Sequence, residues 1–217
     1  TGDGGRSVID SLDPNILYVA AQLFDLDKSV DGGGSFRVSL RGLTEPKSNF
    51  AFVAPFAGDP NDSRRLWTAG NRIWTSANSA DDWVAASPQL TVNNFTAIAV
   101  SPHDSNFVIA RTRAGAVFRN AQARTASGTT SWERSDVRNG WISSIVFDAL
   151  DKQTLYATVG SFKRAATDAH AYKSIDAGAS WSSIDGTGNS ALPDAPFHTI
   201  ASNPDNPAMV VAGGDLG

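Results

Sequence analysis

Short apolar runs alternate with clusters of turn-forming residues along the whole chain. Runs of this length, bounded by Gly, Pro, Asn and Asp, predict β-strands rather than helices. No stretch shows the apolar spacing that is expected of an amphipathic helix. Five of the runs stand before a turn that is rich in Asp, Asn or Pro, at positions 7–9, 50–53, 96–100, 142–147 and 197–201. The pattern therefore predicts an all-β protein.

These turns recur at regular intervals. The second residue of each turn falls at position 14, 60, 102, 149 or 204, which gives steps of 46, 42, 47 and 55 residues. Pro fixes φ in such a turn, and an Asp or Asn side chain closes it through a local hydrogen bond. A second strand-like run follows every turn. Each repeat is therefore predicted to contain a strand, this turn, a strand, a loop, a strand, a second kind of turn and a last strand.

The second kind of turn carries a motif. Residues 174–181 read Ser-Ile-Asp-Ala-Gly-Ala-Ser-Trp, and residues 29–36 keep the same Ser, Asp, Gly and Ser but end in Phe. Residues 76–83 keep the length and the closing Trp, and only Ser-Trp remains at 131–132. The closing aromatic residues are 47, 49 and 49 residues apart. A period in this range is typical of repeat architectures, in which each repeat is one supersecondary unit.

The Asp and Gly of the motif suit a tight turn. A short carboxylate accepts hydrogen bonds from nearby backbone N–H groups, and Gly supplies a positive φ. A catalytic carboxylate is the competing interpretation, but a repeat array seldom needs an active site in every unit. We therefore predict that Asp31 and Asp176 have a structural role.

The motif resembles the Asp box of β-propellers, which occurs in sialidases, xyloglucan-degrading glycoside hydrolases, sortilin-type receptors and photosystem II assembly factors. The resemblance implies that each box joins the third and fourth strands of a four-stranded antiparallel blade, and that the boxes lie opposite the ligand face. It also implies that residues 1–217 form a single propeller domain or a propeller fragment, with about four and a half blades. The ring would then be completed by further blades, by another chain, or by strands that the first residues supply.

Composition narrows the function classes. The formal net charge of −4 gives no basic surface for nucleic acid, and no apolar run approaches the roughly 18 residues of a membrane helix. The absence of Cys excludes disulfides and thiolate metal sites. His103, His170 and His198 lack the spacing of metal ligands, and His198 is expected to pack within its strand. We expect no metal or cofactor, and an extracellular or periplasmic location for a chain rich in Ser, Thr, Asn and Gly.

A binding site is expected on the face opposite the boxes, in the loops after each second strand and between blades. Charged and aromatic side chains around a shared funnel would suit a sugar or peptide ligand. A solvated loop rim is the alternative for any one of these residues. The candidates for ligand binding are Asp25, Asp27, Arg72, Arg111, Arg113, Trp141, Lys163 and Asp168.

Known enzymes of this type fit the chain poorly. Sialidases carry an Arg-Ile-Pro signature and a Tyr nucleophile, but the signature is absent here and Tyr18, Tyr156 and Tyr172 all fall in predicted strands. Xyloglucan-degrading relatives use paired carboxylates between two propellers, and only Asp25, Asp27 and Asp168 are carboxylates worth testing. The sequence therefore favours a recognition or scaffold propeller that binds a glycan or protein. Part of a glycoside hydrolase is the alternative.

Overall fold

A computed structural model describes residues 3–138 and 140–217. Four four-stranded antiparallel sheets and one two-stranded sheet account for its regular structure. Strands follow one another in chain order in every sheet. The described residues contain no α-helix, only 3₁₀ turns at Gln22–Phe24, Lys47–Asn49, Ala123–Thr125 and Gly188–Ser190. The all-β prediction is confirmed.

The chain divides into two compact units, Thr1–Ala110 with Asn120–Trp132 and Arg111–Arg119 with Glu133–Gly217. In the first unit, the first sheet contains β1 (Gly4–Ile9), β2 (Leu17–Ala21), β3 (Asp25–Ser29) and β4 (Arg37–Val38), and the second contains β5 (Phe56–Asp59), β6 (Asp62–Ala69), β7 (Ile73–Ser76) and β8 (Val84–Ala85). The third sheet is assigned partly to each unit and contains β9 (Phe95–Val100), β10 (Val108–Thr112), β11 (Ala116–Asn120) and β12 (Glu133–Asp136). In the second unit, the fourth sheet contains β13 (Ile142–Phe147), β14 (Leu155–Val159), β15 (Ala171–Ser174) and β16 (Ser182–Ser183), and the fifth contains β17 (Phe197–Asn203) and β18 (Asn206–Gly214).

Antiparallel order gives each sheet two different ends. Each sheet has one turn between its first and second strands and another, which carries the repeated motif and is called the box, between its third and fourth strands. Both turns lie at one end of the sheet, called the box end. The loop between the second and third strands lies at the opposite end, called the loop end, together with the connection to the next sheet. The prediction that each box joins the third and fourth strands of its sheet is therefore confirmed.

One predicted strand is wrong. Residues 50–53 are irregular, and β5 begins only at Phe56. Phe50 is nevertheless buried, while Phe52 and Val53 are exposed. The apolar run at 50–53 thus reflects a loop that contributes one ring to the core, which period-two patterning cannot distinguish from a strand.

The carboxylate of the box closes its turn as predicted. Asp176 Oδ1 accepts hydrogen bonds from Ser180 N at 2.8 Å and Ser174 Oγ at 2.7 Å, and Oδ2 accepts one from Ser180 Oγ at 2.6 Å. Asp31 makes the same contacts in the first box, and Asn78 takes this place in the second. The box is therefore a turn in which both carboxylate oxygens accept hydrogen bonds.

Because of these hydrogen bonds, the stability of the folded protein is expected to depend on pH in the acidic range. Several hydrogen-bond donors lower the pKa of Asp31 and of Asp176 to about 2. The largest contribution comes from the hydroxyl group of the second Ser in each box, which is Ser35 for Asp31 and Ser180 for Asp176. Because a folded-state pKa below the unfolded value of about 3.9 favours the native state only while the group is ionised, this contribution is present above pH 4 and is lost as pH falls towards 2.

We expect Asp176→Asn to lower the free energy of unfolding by about 1 kcal/mol at pH 7, since the amide keeps the shape but loses the charge. The difference from wild type should shrink between pH 4 and pH 2 in urea titrations. A difference that is the same at pH 7 and pH 2.5 would contradict this assignment.

In the first unit, the second box is held by the neighbouring sheet. Lys28 Nζ donates to Ser79 O at 2.7 Å, and Ser39 Oγ donates to Ala80 O at 2.7 Å. Ser79 and Ala80 both have positive φ, which turns their carbonyl groups outward from the box. The indole of the closing Trp83 donates to Ser39 O at 2.9 Å. The first sheet therefore donates hydrogen bonds to the second box and also accepts one from it.

In the second unit, the fourth-sheet box is held in the same way. Arg119 Nη1 donates to Ala177 O at 3.0 Å, and Ser135 Oγ donates to Gly178 O at 2.6 Å. Ala177 and Gly178 occupy the same two box positions as their counterparts in the first unit and also have positive φ. The box therefore forms a turn within its own sheet and also binds the preceding sheet.

Candidate functional site

The loop ends of the fourth and fifth sheets bring together Trp141, which was a predicted ligand-binding candidate, and three residues that were not. Trp141 precedes β13 and Gly160 follows β14, with Gly160 N donating to Trp141 O at 2.8 Å. His198 lies at the start of β17 and Asp215 follows β18. These four residues are called the Trp141 surface below.

Trp141 supplies the aromatic part of this surface. Its side chain is 44% exposed, and its ring centroid lies 6.1 Å from that of His198. A Cβ on Gly160 would come within 2.9 Å of the indole ring, so the close packing of the ring requires glycine there. The indole is thus supported from beneath by backbone while part of it stays open to solvent.

His198 and Asp215 supply the polar part. His198 Nε2 lies 2.6 Å from Asp215 Oδ1, and both side chains are about half exposed. The expectation that His198 packs inside its strand is wrong, since it stands on the exposed side of β17. Asp215 N donates to Pro196 O at 3.0 Å, which fixes the chain just after β18.

Arg138 organises the adjoining loop at 161–169. Its guanidinium is buried and donates to Ala169 O at 3.0 Å, Phe162 O at 3.1 Å and Ser161 Oγ at 3.0 Å. It also lies 3.5 Å from Asp168 Oδ2. One side chain therefore satisfies carbonyl groups at both ends of the loop, which cannot pair with each other.

The predicted candidates Lys163 and Asp168 lie on this loop, and both side chains bind other groups of the chain. Lys163 Nζ forms an ion pair with the buried Asp185 at 2.9 Å. Asp168 accepts the backbone N–H of Arg164 at 2.9 Å. That hydrogen bond, with the charge of Arg138, lowers the pKa of Asp168 below its ordinary value. Asp168 is therefore an anionic loop closure and a poor proton donor at neutral pH.

His170 and Asp194 join the loop to the connection between the two sheets. His170 is buried, and its Nε2 lies 3.0 Å from Asp194 Oδ1. Asp194 also accepts a hydrogen bond from Lys163 N at 2.9 Å. This backbone hydrogen bond lowers the pKa of Asp194 most, and the hydrogen bond with the His170 side chain lowers it further. Asp185 accepts the backbone N–H groups of His170 and Ala171 at 2.8 Å each. The loop is thus tied down by side chains more than 14 residues away in sequence.

Three other candidates lie in the first unit. Asp25 and Asp27 were expected in a loop, but β3 begins at Asp25 and both lie in that strand. Asp25 Oδ2 forms an exposed ion pair with Lys47 Nζ at 2.8 Å. Arg72 lies in the predicted loop between β6 and β7, with its guanidinium 6.0 Å from the Trp74 ring.

The last two candidates differ in exposure. Arg111 was expected on a loop, but it is a fully buried residue of β10, whereas Arg113 is exposed in the loop that follows. Sequence reasoning missed Asp185 and the surface role of His198, because neither carries a local motif. It also missed Glu45 in the first unit, whose carboxylate accepts Trp74 Nε1 at 2.6 Å and Asn71 N at 2.7 Å.

The described residues contain neither a metal-binding cluster nor a membrane-spanning helix. Within residues 3–138 and 140–217, no three His, Cys, Asp or Glu side chains are grouped so that they could hold a metal ion. In the same residues no helix has the length and apolar character that crossing a membrane requires.

Comparison with known proteins finds similarity in structure alone. No family model and no curated protein matches the chain. An ancestral GH74 enzyme superposes with a TM-score of 0.69 at 21% identity over 94% of this chain and 26% of its own. The GH74 xyloglucanase from Xanthomonas campestris gives 0.66 at 18% identity over 98% and 36%, and YCF48 bound to D1 peptide gives 0.57 at 14% identity over 97% and 66%.

All three are β-propeller proteins, and the similarity shows that this chain has a β-propeller fold, as predicted. The chain contains about four blades of such a fold. It spans about a quarter to a third of the length of the two GH74 enzymes. Identities this low carry no function from one protein to another.

Proposed function

We propose that the chain is an Asp-box propeller domain, or part of one, that recognises a glycan or protein at the Trp141 surface without catalysing a reaction there. The observation that carries the proposal is the partly exposed indole of Trp141, packed on Gly160 beside the His198–Asp215 pair. Exposed aromatic rings on a rigid support are a common basis for recognition, because they bury much surface at a small entropic cost.

The chemistry of the candidate carboxylates favours binding over hydrolysis. Glycoside hydrolysis needs one carboxyl group with a raised pKa and a second one about 5 to 9 Å away. Asp168 has a lowered pKa, and its oxygen is held by backbone N–H groups. Asp25 is paired with Lys47. Neither residue has the environment of a general acid.

The structural neighbours are consistent with either class of ligand. One YCF48 structure is described as bound to a D1 peptide, and one GH74 neighbour is described as a xyloglucanase. We further propose that this protein acts outside the cell or in the periplasm, and that further blades or another chain complete its ring. Its composition and open repeat pattern support both proposals.

Glycan and peptide arrays probed with the purified chain test the recognition proposal. We expect at least one class of ligand to bind, and Trp141→Ala to weaken that binding at least 10-fold through loss of aromatic contact. Phe36→Ala removes a similarly exposed ring from the first Asp box and should leave binding unchanged. Equal binding by wild type and Trp141→Ala would refute the proposed site.

The alternative, part of a glycoside hydrolase, makes a different prediction. Turnover of xyloglucan or sialosides that is abolished by Asp25→Asn or Asp168→Asn would establish catalysis and contradict the recognition proposal. Specific binding without turnover of any glycan would exclude the hydrolase for this chain.

A further inference from the structure

Two carboxylates at the loop ends of the fourth and fifth sheets have one free oxygen each. Asp194 and Asp215 are 56% and 54% exposed. Each uses Oδ1 to contact a histidine Nε2, while Oδ2 has no hydrogen-bond partner among the described residues. Asp215 N bonds Pro196 O, two residues after Asp194, so both carboxylates belong to the same stretch of the loop end. The surface therefore offers unused acceptors.

Two cationic side chains next to this surface, Arg138 and Lys163, are directed inward. The terminal nitrogens of Arg138 bond carbonyl groups of the 161–169 loop, and Lys163 Nζ bonds buried Asp185. The backbone N–H groups of Arg164 and Ala165 are taken by Asp168. A ligand at the Trp141 surface thus meets free carboxylate oxygens and an aromatic ring, with His198 beside them and the exposed Arg164 on the adjoining loop.

This balance favours a ligand that only donates hydrogen bonds. Sugar hydroxyls donate and accept, so a sugar bound at an acceptor-rich surface would leave part of its own acceptors unmatched. A guanidinium group has five N–H donors and no acceptor, stacks on indole rings and pairs with carboxylates through two parallel hydrogen bonds.

Resting on the recognition function proposed above, we infer that the Trp141 surface binds an extended peptide through an arginine side chain. The guanidinium lies over the exposed part of Trp141 and donates to Asp215 Oδ2, with Asp194 as the second acceptor. Arg164 is the exposed cation of the adjoining loop and opposes this binding by charge repulsion, which is weak across solvent.

The test uses Gly-Arg-Gly and its neutral counterpart Gly-citrulline-Gly, titrated into the full chain and followed by the indole N–H signals in NMR spectra. We expect the Arg peptide to shift the Trp141 signal and to bind at least 10-fold more tightly than the citrulline peptide. The advantage should fall several-fold between 0.05 and 0.5 M salt, because screening weakens exposed ion pairs.

Asp215→Asn should remove most of the preference for Arg, whereas Asp205→Asn, at the box end of the fifth sheet, should not change it. Since the peptide comparison needs no variant, the test remains decisive even where Asp215→Asn disturbs the fold. Equal binding of the two peptides, or binding of glycans alone with the same dependence on Trp141, would overturn the arginine inference and leave the recognition function standing. Binding of every ligand independently of Trp141 would defeat both.

Discussion

Replacing Arg138 with alanine is expected to lower the free energy of unfolding of the second unit by about 3–5 kcal/mol, the cost typical of breaking a buried charged network from one side. The Arg138 side chain is only 5% exposed. Its removal leaves the carbonyl oxygens of Ala169 and Phe162 without their side-chain donor. It also leaves Asp168 without its nearest positive charge.

Urea unfolding gives the loss of stability, and amide hydrogen exchange shows where it occurs. We expect exchange to accelerate first across residues 161–169, because their anchoring donor is gone. Arg134→Ala is the matched control, since that arginine forms an exposed ion pair with Asp136 at 3.1 Å and should cost less than about 1 kcal/mol. Equal effects of the two variants would contradict the anchoring role of Arg138.

The repeat architecture was predictable because its signals are local. Each complete box needs a carboxylate that reaches its own backbone and residues that accept a positive φ, and both requirements appear as residue types at fixed spacing. Asp176 and Gly178 meet them with the expected geometry. The strands between the turns followed from the same spacing, so β13 was predicted to the residue.

The predicted strand boundaries are wrong where tertiary packing, rather than local sequence, determines the structure. Phe50 faces the core from an irregular segment, and its apolar neighbours made that segment resemble a strand. Asp25 and Asp27 are polar residues on the exposed side of β3, so their sequence resembles a loop. Arg111 is charged yet fully buried in β10, which no pattern of hydrophobicity predicts.

The candidate site was predictable only in outline. Trp141, Lys163 and Asp168 were placed at the loop end because topology alone determines which end of a strand they follow. Their partners come from distant parts of the chain, as in the ion pair of Lys163 with Asp185. Such pairs depend on how two loops meet, and a single sequence contains no signal for that.

Replacing Trp83 is expected to destabilise the first unit strongly. Trp83 is 2% exposed, and its ring meets that of Phe24 edge to face at 5.6 Å. Its Nε1 donates to Ser39 O at 2.9 Å, which joins the second box to the first sheet. Trp83→Ala creates a cavity and breaks this bond, and should lower the free energy of unfolding by about 3–5 kcal/mol.

Trp83→Phe separates the two contributions, because it keeps most of the ring contact and removes only the indole donor. We expect a loss of about 1–2 kcal/mol from the unpaired Ser39 carbonyl and the smaller ring. Phe36→Ala, at the same position of the first box, removes an exposed ring and should cost less than about 1 kcal/mol. If urea unfolding showed similar losses for Trp83→Ala and Phe36→Ala, the closing aromatic of the box would have no special role in joining sheets. A loss for Trp83→Ala that clearly exceeds both others would show that the box contributes to stability mainly through the neighbouring sheet.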